Sequence, residues 1–133
     1  MEKTLGIIKP DAVKKKLIGL IIKRIEEEGF EINELKMVHL NKEEAKGFYA
    51  VHKDKPFYES LTDFMSSGKI VLLVLERENA VKKWREVMGV TDPALAETGT
   101  IRHQYGFSIE RNATHGSDSL ETAEWEINYF FKE

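Results

Sequence analysis

The sequence contains no cysteine. Disulfide scaffolding and thiolate metal sites are therefore excluded, and a reducing compartment suits the composition. No apolar run approaches the length needed to cross a bilayer. Met1-Glu2-Lys3-Thr4 leads directly into an apolar stretch without a signal-peptide pattern. An excess of charge of either sign is also missing. The net charge is −3 and the pI is near 5.9, so no global field favours nucleic acid or an anionic membrane. Neither a membrane nor an obligate nucleic-acid partner is expected. At 133 residues, with 41% hydrophobic and 32% charged residues, the chain fits one globular domain that builds its core without staples. A single domain over 1–133 in the cytoplasm is the expectation.

The common nucleotide and metal motifs are missing too. Gly68-Lys69 has Asp63 where a P-loop needs its first glycine, and no two glycines stand two apart, which removes the dinucleotide fingerprint. No H-E-x-x-H zinc pattern occurs. A phosphate site in this chain must be built from cations and hydroxyls instead of a glycine cradle.

The elements follow from patterning. Leu5-Gly6-Ile7-Ile8, ended by Lys9-Pro10-Asp11, reads as a buried strand, with Pro10 opening a short helix. Lys14-Lys15-Lys16 reads as a solvated helix face or turn. Ile18, Ile21, Ile22 and Ile25 predict a helix to Glu28, closed by Gly29 as C-cap. Phe30 to Leu40 predicts a strand with an irregularity. Asn41 and Glu44 form a capping box for a helix reaching about His52, and Pro56 starts another through Met65. The continuous apolar run Ile70 to Leu75 predicts a central strand buried on both faces. Asn79 to Met88 is helical. Periodicity is then lost from Gly89 to about Tyr105, a long loop of the kind usually functional or disordered. Phe107, Ile109 and Arg111-Asn112 predict the last strand, and Asp118 with Glu121 a capping box for a final helix, 119–131. Its apolar stripe is Leu120, Ala123, Ile127 and Phe130. This order gives an α+β fold. It is a ferredoxin-like βαββαβ sandwich, an antiparallel four-stranded sheet covered by helices, with an inserted helical hairpin and a long loop before the last strand.

His115 would sit where the last strand gives way to the final helix. Imidazole is one of the few side chains that act as an uncharged nucleophile near neutral pH, although a lone histidine in a polar loop is more often merely solvated. Glu126, if the final helix folds back, could accept a hydrogen bond from one ring nitrogen and direct the other outward. Lys9, Arg85, Thr91, Arg102 and Asn112 form a set suited to phosphate: arginines grip it in forks, lysine as a point charge, threonine and asparagine as neutral partners. Phe57 and Tyr49 on the hairpin read either as core or as a face on which a base stacks.

Taken together, Asn112-Ala-Thr-His115-Gly-Ser-Asp118, Lys9-Pro10-Asp11, Thr91-Asp-Pro93 and Thr100-Ile-Arg102 resemble the nucleoside diphosphate kinase family, from about Thr4 to Phe131. The resemblance implies Mg2+-dependent ping-pong transfer of a γ-phosphoryl group from ATP or another nucleoside triphosphate to nucleoside diphosphates. His115 matches the family's phosphorylated histidine, and Glu126 and Ser117 match the pair that orients and assists it. Lys9, Tyr49, Arg85, Thr91, Arg102 and Asn112 match its phosphate and ribose contacts, and Phe57 the residue that stacks on the base. Mg2+ is carried by the nucleotide phosphates, so no dedicated protein cage is expected. A homo-oligomer is implied, a tetramer in preference to a hexamer or dimer. Thr98, where a proline is common, and His103, where a smaller residue is common, depart from the family pattern and bear on loop rigidity and subunit contacts. The sequence also stops at Glu133, without the C-terminal extension of longer members.

Two other readings compete. A non-enzymatic nucleic-acid-binding or regulatory module on a ferredoxin-like scaffold has only the aromatics and Lys14 to Lys16 in its favour, against an acidic balance. A phosphohistidine carrier charged by a protein donor does not need the separate arginines or the stacking candidate.

Overall fold

The structure is a computed structural model and describes residues 1–131. Four strands, β1 (Glu2–Ile8), β2 (Glu31–Val38), β3 (Ile70–Arg77) and β4 (Thr114–Gly116), form one sheet in the order β2-β3-β1-β4. All three neighbouring pairs are antiparallel. Among the described residues there are seven α-helices: α1 (Pro10–Lys14), α2 (Ile18–Glu27), α3 (Lys42–Phe48), α4 (Tyr58–Met65), α5 (Ala80–Met88), α6 (Ile101–Tyr105) and α7 (Leu120–Phe130). A 3-10 turn, Ala50–His52, follows α3. This is the expected split βαβ order with the hairpin α3–α4 inserted between β2 and β3.

Strand alternation divides the core. Ile8, Val71, Leu73 and Leu75 face one side of the sheet, where they pack with Ile21 and Ile25 of α2 and Trp84 and Met88 of α5. Leu5, Ile7, Ile70 and Leu72 face the other, against Phe48, Phe64 and Met65 of the hairpin and Ile127 and Phe130 of α7. Both central strands are therefore buried on both faces. The irregularity in β2 is a register shift between Ile32 and Glu34.

Several local expectations hold. Asn41 accepts from Glu44 N at 2.8 Å while Glu44 Oε1 accepts from Asn41 N at 2.9 Å, the reciprocal capping box. Gly29 has φ +86 just beyond the Glu28 C-cap. Lys14 to Lys16 form an exposed turn at the end of α1.

Others are corrected. The last strand is not 107–112. There the chain turns back on itself, with Phe107 N donating to Arg111 O at 2.8 Å, and Phe107 and Ile109 are exposed. Extended pairing begins only at Thr114, because Ala113 adopts φ +74 and gives its N–H to Asp11 Oδ2 at 3.0 Å. His115 thus lies within β4, opposite Ile7. The stretch from Gly89 to Tyr105 contains α6, capped by Thr100. Ile101 is that short helix's only fully buried residue, which is why periodicity did not reveal it. The helix expected from Pro56 starts at Tyr58, with Phe57 as N-cap, and the one expected to reach His52 ends at Phe48. α7 is capped by Ser119, whose Oγ accepts from Thr122 N at 3.1 Å, because Arg85 occupies the Asp118 carboxylate. Leu120 is exposed and drops out of the apolar stripe.

Gly6 and Gly116 face each other across the β1–β4 ladder, and both lie under Trp84. A Cβ on Gly116 would stand 2.6 Å from Trp84 Cδ1 and 2.6 Å from Met88 Cε. Both side chains are fully buried, so neither can move aside freely. Gly116→Ala is expected to destabilise the fold by about 1–3 kcal/mol in urea unfolding, the range for overpacking. Gly19→Ala, with nothing within 4 Å of its would-be Cβ, serves as the control that does not destabilise. Equal midpoints for the two variants would refute this packing account.

Candidate active site

Period-two alternation places His115 on the hairpin face, while its neighbours Thr114 and Gly116 turn toward α5. Its ring meets Phe48 edge-on at 5.4 Å and Tyr49 at 6.3 Å between centroids. Its backbone carbonyl accepts from Trp84 Nε1 at 3.1 Å, so the residue is fixed from behind. The side chain keeps 19% of its surface exposed, enough for an incoming group to reach it.

Glu126 lies on α7 beside Ala123 and Ile127, on the helix face turned to the sheet. One carboxylate oxygen, Oε1, stands 3.1 Å from His115 Nε2 and accepts from Ser117 Oγ at 2.7 Å. Ser117 Oγ in turn accepts from Leu5 N at 3.3 Å. Glu126 and Ser117 are both buried. A buried carboxylate is costly unless its oxygens are occupied, and here both donors come from β4 and the residue just after it. With Nε2 engaged, Nδ1 is the ring nitrogen without a protein partner among these contacts. Tyr49 is buried beside this group, and burial first and the Glu126 charge second push its phenol upward.

A second cluster is cationic. Lys9 Nζ donates to Asn112 Oδ1 and to Glu110 O, both at 2.9 Å. Asn112 Nδ2 donates to Thr91 O at 3.0 Å and to Ile109 O at 2.9 Å. Arg102 donates to Gly89 O and Thr114 O, both at 2.9 Å, which ties α6 to the residue before His115. Arg85 is exposed and pairs with Asp118 at 2.5 Å. Lys9 is lowered to about 8, by burial first and then by the Arg102 charge, against the opposing charges of Asp11 and Glu110. Arg102 is lowered to about 10, by burial first and then by Arg85, against Asp118. Arg102 thus acts on Lys9 and Arg85 on Arg102, and an anion placed among them would relieve that repulsion.

Arg85, Thr91, Arg102 and Asp118 line a cavity of about 840 Å³ between α5 and the 97–100 segment. His115, Tyr49 and Phe57 do not line it. Phe57 is 46% exposed on the hairpin, its ring 5.5 Å from that of His52. Of the sequence candidates, His115, Glu126, Ser117 and Tyr49 form one group. Lys9, Asn112, Thr91, Arg102 and Arg85 form another, joined to the first through Thr114. Phe57 touches neither.

The model of the family described as "Nucleoside diphosphate kinase" matches residues 2–133. The chain belongs to the nucleoside diphosphate kinase family. A nucleoside diphosphate kinase of Geobacter sulfurreducens is 56% identical over 133 residues, covering 100% of this chain and 97% of that protein. One of Chlamydia caviae is 60% identical over 131 residues, covering 98% and 93%. The crystal structure of the Aquifex aeolicus enzyme superposes with a TM-score of 0.97 at 46% identity, covering 98% of this chain and 95% of that one. A halophilic enzyme from Halobacterium salinarum, in complex with CDP, gives 0.96 at 39% identity over 99% and 88%. The fold is that of the family, and the nucleic-acid-binding alternative is not favoured.

Sequence reasoning missed two supports. Asp11 Oδ2 holds Ala113 N and so sets the backbone before His115. The Trp84 N–H, from helix α5, fixes the His115 carbonyl. The K-P-D pattern was the available signal for the first. Nothing in the sequence signalled the second.

The lowered Lys9 has a pH consequence. Below about 8 the ammonium form dominates; a bound phosphate stabilises that form and raises its pKa. Affinity for ADP is therefore expected to fall as pH rises from 8 to about 9.5, with proton uptake on binding in that window. Calorimetry in buffers of different ionisation enthalpy reads both, and Lys9→Met should flatten both. Affinity independent of pH across the window would remove Lys9 from the anion site.

Proposed function

We propose that this domain, 1–133, transfers the γ-phosphoryl group of ATP and other nucleoside triphosphates to nucleoside diphosphates through a phosphohistidine on His115. Such an exchange maintains NTP and dNTP pools. What supports the reading most is the shared Glu126 oxygen, which leaves Nδ1 of an accessible imidazole as the nucleophile next to a cluster of mutually repelling cations.

In the first half-reaction the Nδ1 lone pair attacks the γ-phosphorus. A P–N bond forms, the bond from phosphorus to the bridging oxygen breaks, and the nucleoside diphosphate leaves. The ring becomes positively charged and keeps its Nε2–H, which Glu126 accepts. The carboxylate thus balances the charge where it develops. No proton has to move. In the second half-reaction a terminal oxygen of another diphosphate attacks the same phosphorus and the P–N bond breaks. A phosphoramidate retains high transfer potential, so the exchange runs in both directions. Phosphoryl transfer has a loose transition state and needs mainly positioning and cations around the equatorial oxygens. Lys9, Arg85 and Arg102 supply the charge, and Thr91 and Asn112 neutral contacts. Tyr49 contributes to nucleotide contact and Phe57 is the stacking surface. Stacking accepts every base, which fits a general nucleotide substrate; the Halobacterium salinarum relative in complex with CDP is in keeping with this.

Mg2+ fits as a passenger on the nucleotide phosphates, where it neutralises their charge. The donor set here is mostly cationic, and among the described residues no group of three or more His, Asp or Glu side chains could hold a metal ion. Asp118, which lines a cavity with Arg85 and Arg102, is the carboxylate suited to its water shell.

No helix of the described residues is long and apolar enough to cross a membrane. We assign a cytoplasmic location. The protein is proposed to be a homo-oligomer, a tetramer in preference to a hexamer or dimer, consistent with exposed Leu35 and Met37 on the edge strand β2.

Incubation with γ-labelled ATP and Mg2+ should give acid-labile, base-stable label on the protein, and addition of GDP should discharge it as GTP. His115→Ala should abolish both. Exchange at the original rate in that variant would overturn the mechanism.

A further inference from the structure

Two residues without a part in this mechanism meet across 50 positions of sequence. Ser60 of α4 lies one turn beyond Phe57, and its Oγ donates to Glu110 Oε2 at 2.8 Å. The backbone oxygen of the same Glu110 accepts from Lys9 Nζ at 2.9 Å. Glu110 therefore holds the hairpin by its side chain and the site lysine by its carbonyl. Its charge also acts on Lys9 in the direction that keeps the ammonium protonated.

The loop 107–112 has little else to fix it against the hairpin. Phe107 and Ile109 point to solvent, 78% and 61% exposed. Asn112 secures only the inner end, through Thr91 O and Ile109 O. Near Glu110, the Arg111 guanidinium lies over the Phe64 ring of α4 at 5.2 Å, a contact without the directionality of a hydrogen bond.

We propose that Ser60 and Glu110 form a latch that fixes the spacing between the Phe57 wall and Lys9, and so sets nucleotide affinity without touching the phosphoryl group in transfer. This rests on the reading of Phe57 and Lys9 as nucleotide contacts. Glu110 and Ser60 are positioning residues: they hold the cleft in its binding geometry before the ligand arrives, which removes an ordering cost from association.

The test compares Ser60→Ala, Glu110→Ala, the double variant and Glu110→Gln. KM for ADP and GDP is measured, together with the single-turnover discharge of the phosphoenzyme at saturating nucleotide. Each alanine variant is expected to raise KM about three- to tenfold, the scale of one ordinary net hydrogen bond at an exposed site, with the saturating rate unchanged. The double variant should be no worse than the singles. Glu110→Gln should restore most of the loss, because its amide oxygen still accepts from Ser60. KM unchanged in the single variants, additive losses, or a fall in the saturating rate equal to the rise in KM would each overturn the latch. Lys9→Met and Phe57→Ala are run alongside. If these raise KM while the latch variants do not, the latch alone fails. If neither pair does, the nucleotide-contact reading fails and takes the latch with it.

Discussion

The site depends on one buried carboxylate oxygen. Glu126 Oε1 meets His115 Nε2 and Ser117 Oγ, and each contact constrains a different element. The imidazole belongs to β4, the hydroxyl to the residue that follows it, and the carboxylate to α7. Ser117 is held in addition by the backbone of β1. An unpartnered buried carboxylate would be strongly destabilising. The chain thus cannot bury this face of α7 without also orienting the histidine. Folding and the positioning of the His115 ring are the same event.

Behind the ring the constraint is steric. β4 has only three residues, too short to hold a histidine by ladder hydrogen bonds alone. Trp84 compensates by lying over the Gly6–Gly116 pair and donating to the His115 carbonyl. Asp11 completes the support by holding Ala113 at positive φ, where the chain bends into the strand. The ring is therefore braced in front by a hydrogen bond and behind by packing, which is what a site held to within fractions of an ångström needs.

Much of this was legible in the sequence, for identifiable reasons. The strands β1 and β3 were visible because they are buried on both faces and read as continuous apolar runs. The capping box at Asn41 was visible because its two members are reciprocal. Glu126 was suggested as the orienting group because a final helix folded back beside His115 would bring its carboxylate to the ring, and because it matches the family pattern. What stayed hidden had weak or misleading local signals. Phe107 and Ile109 alternate like a strand, yet their side chains face solvent, since the true strand begins after the break at Ala113. Asp118 has the type and spacing of a cap, but Arg85, 33 residues away, claims its carboxylate. Thr98 and His103 lie exposed in or beside α6, and their departure from the family pattern leaves the contacts of Arg102 in place. Long-range partners of this kind decide between equally good local options, and no short-range pattern records them.

The two arginines show how the proposed chemistry divides its labour. Arg102 spends hydrogen bonds on two backbone carbonyls, is half-buried, and is lowered to about 10. It is a fixed charge whose position β4 and the 89–91 segment dictate. Arg85 is exposed and holds only the still more exposed Asp118. Such surface pairs contribute about 0–1 kcal/mol, so Arg85 can exchange that carboxylate for a phosphate oxygen at little cost. A group that must pass phosphoryl both to and from the same histidine benefits from this asymmetry. In the proposed transfer the anchored Arg102 would define where the phosphate sits, and Arg85 would exchange Asp118 for a phosphate oxygen. A charge held in place in advance costs no reorganisation when the phosphoryl charge develops, and Arg102 has that character in this site.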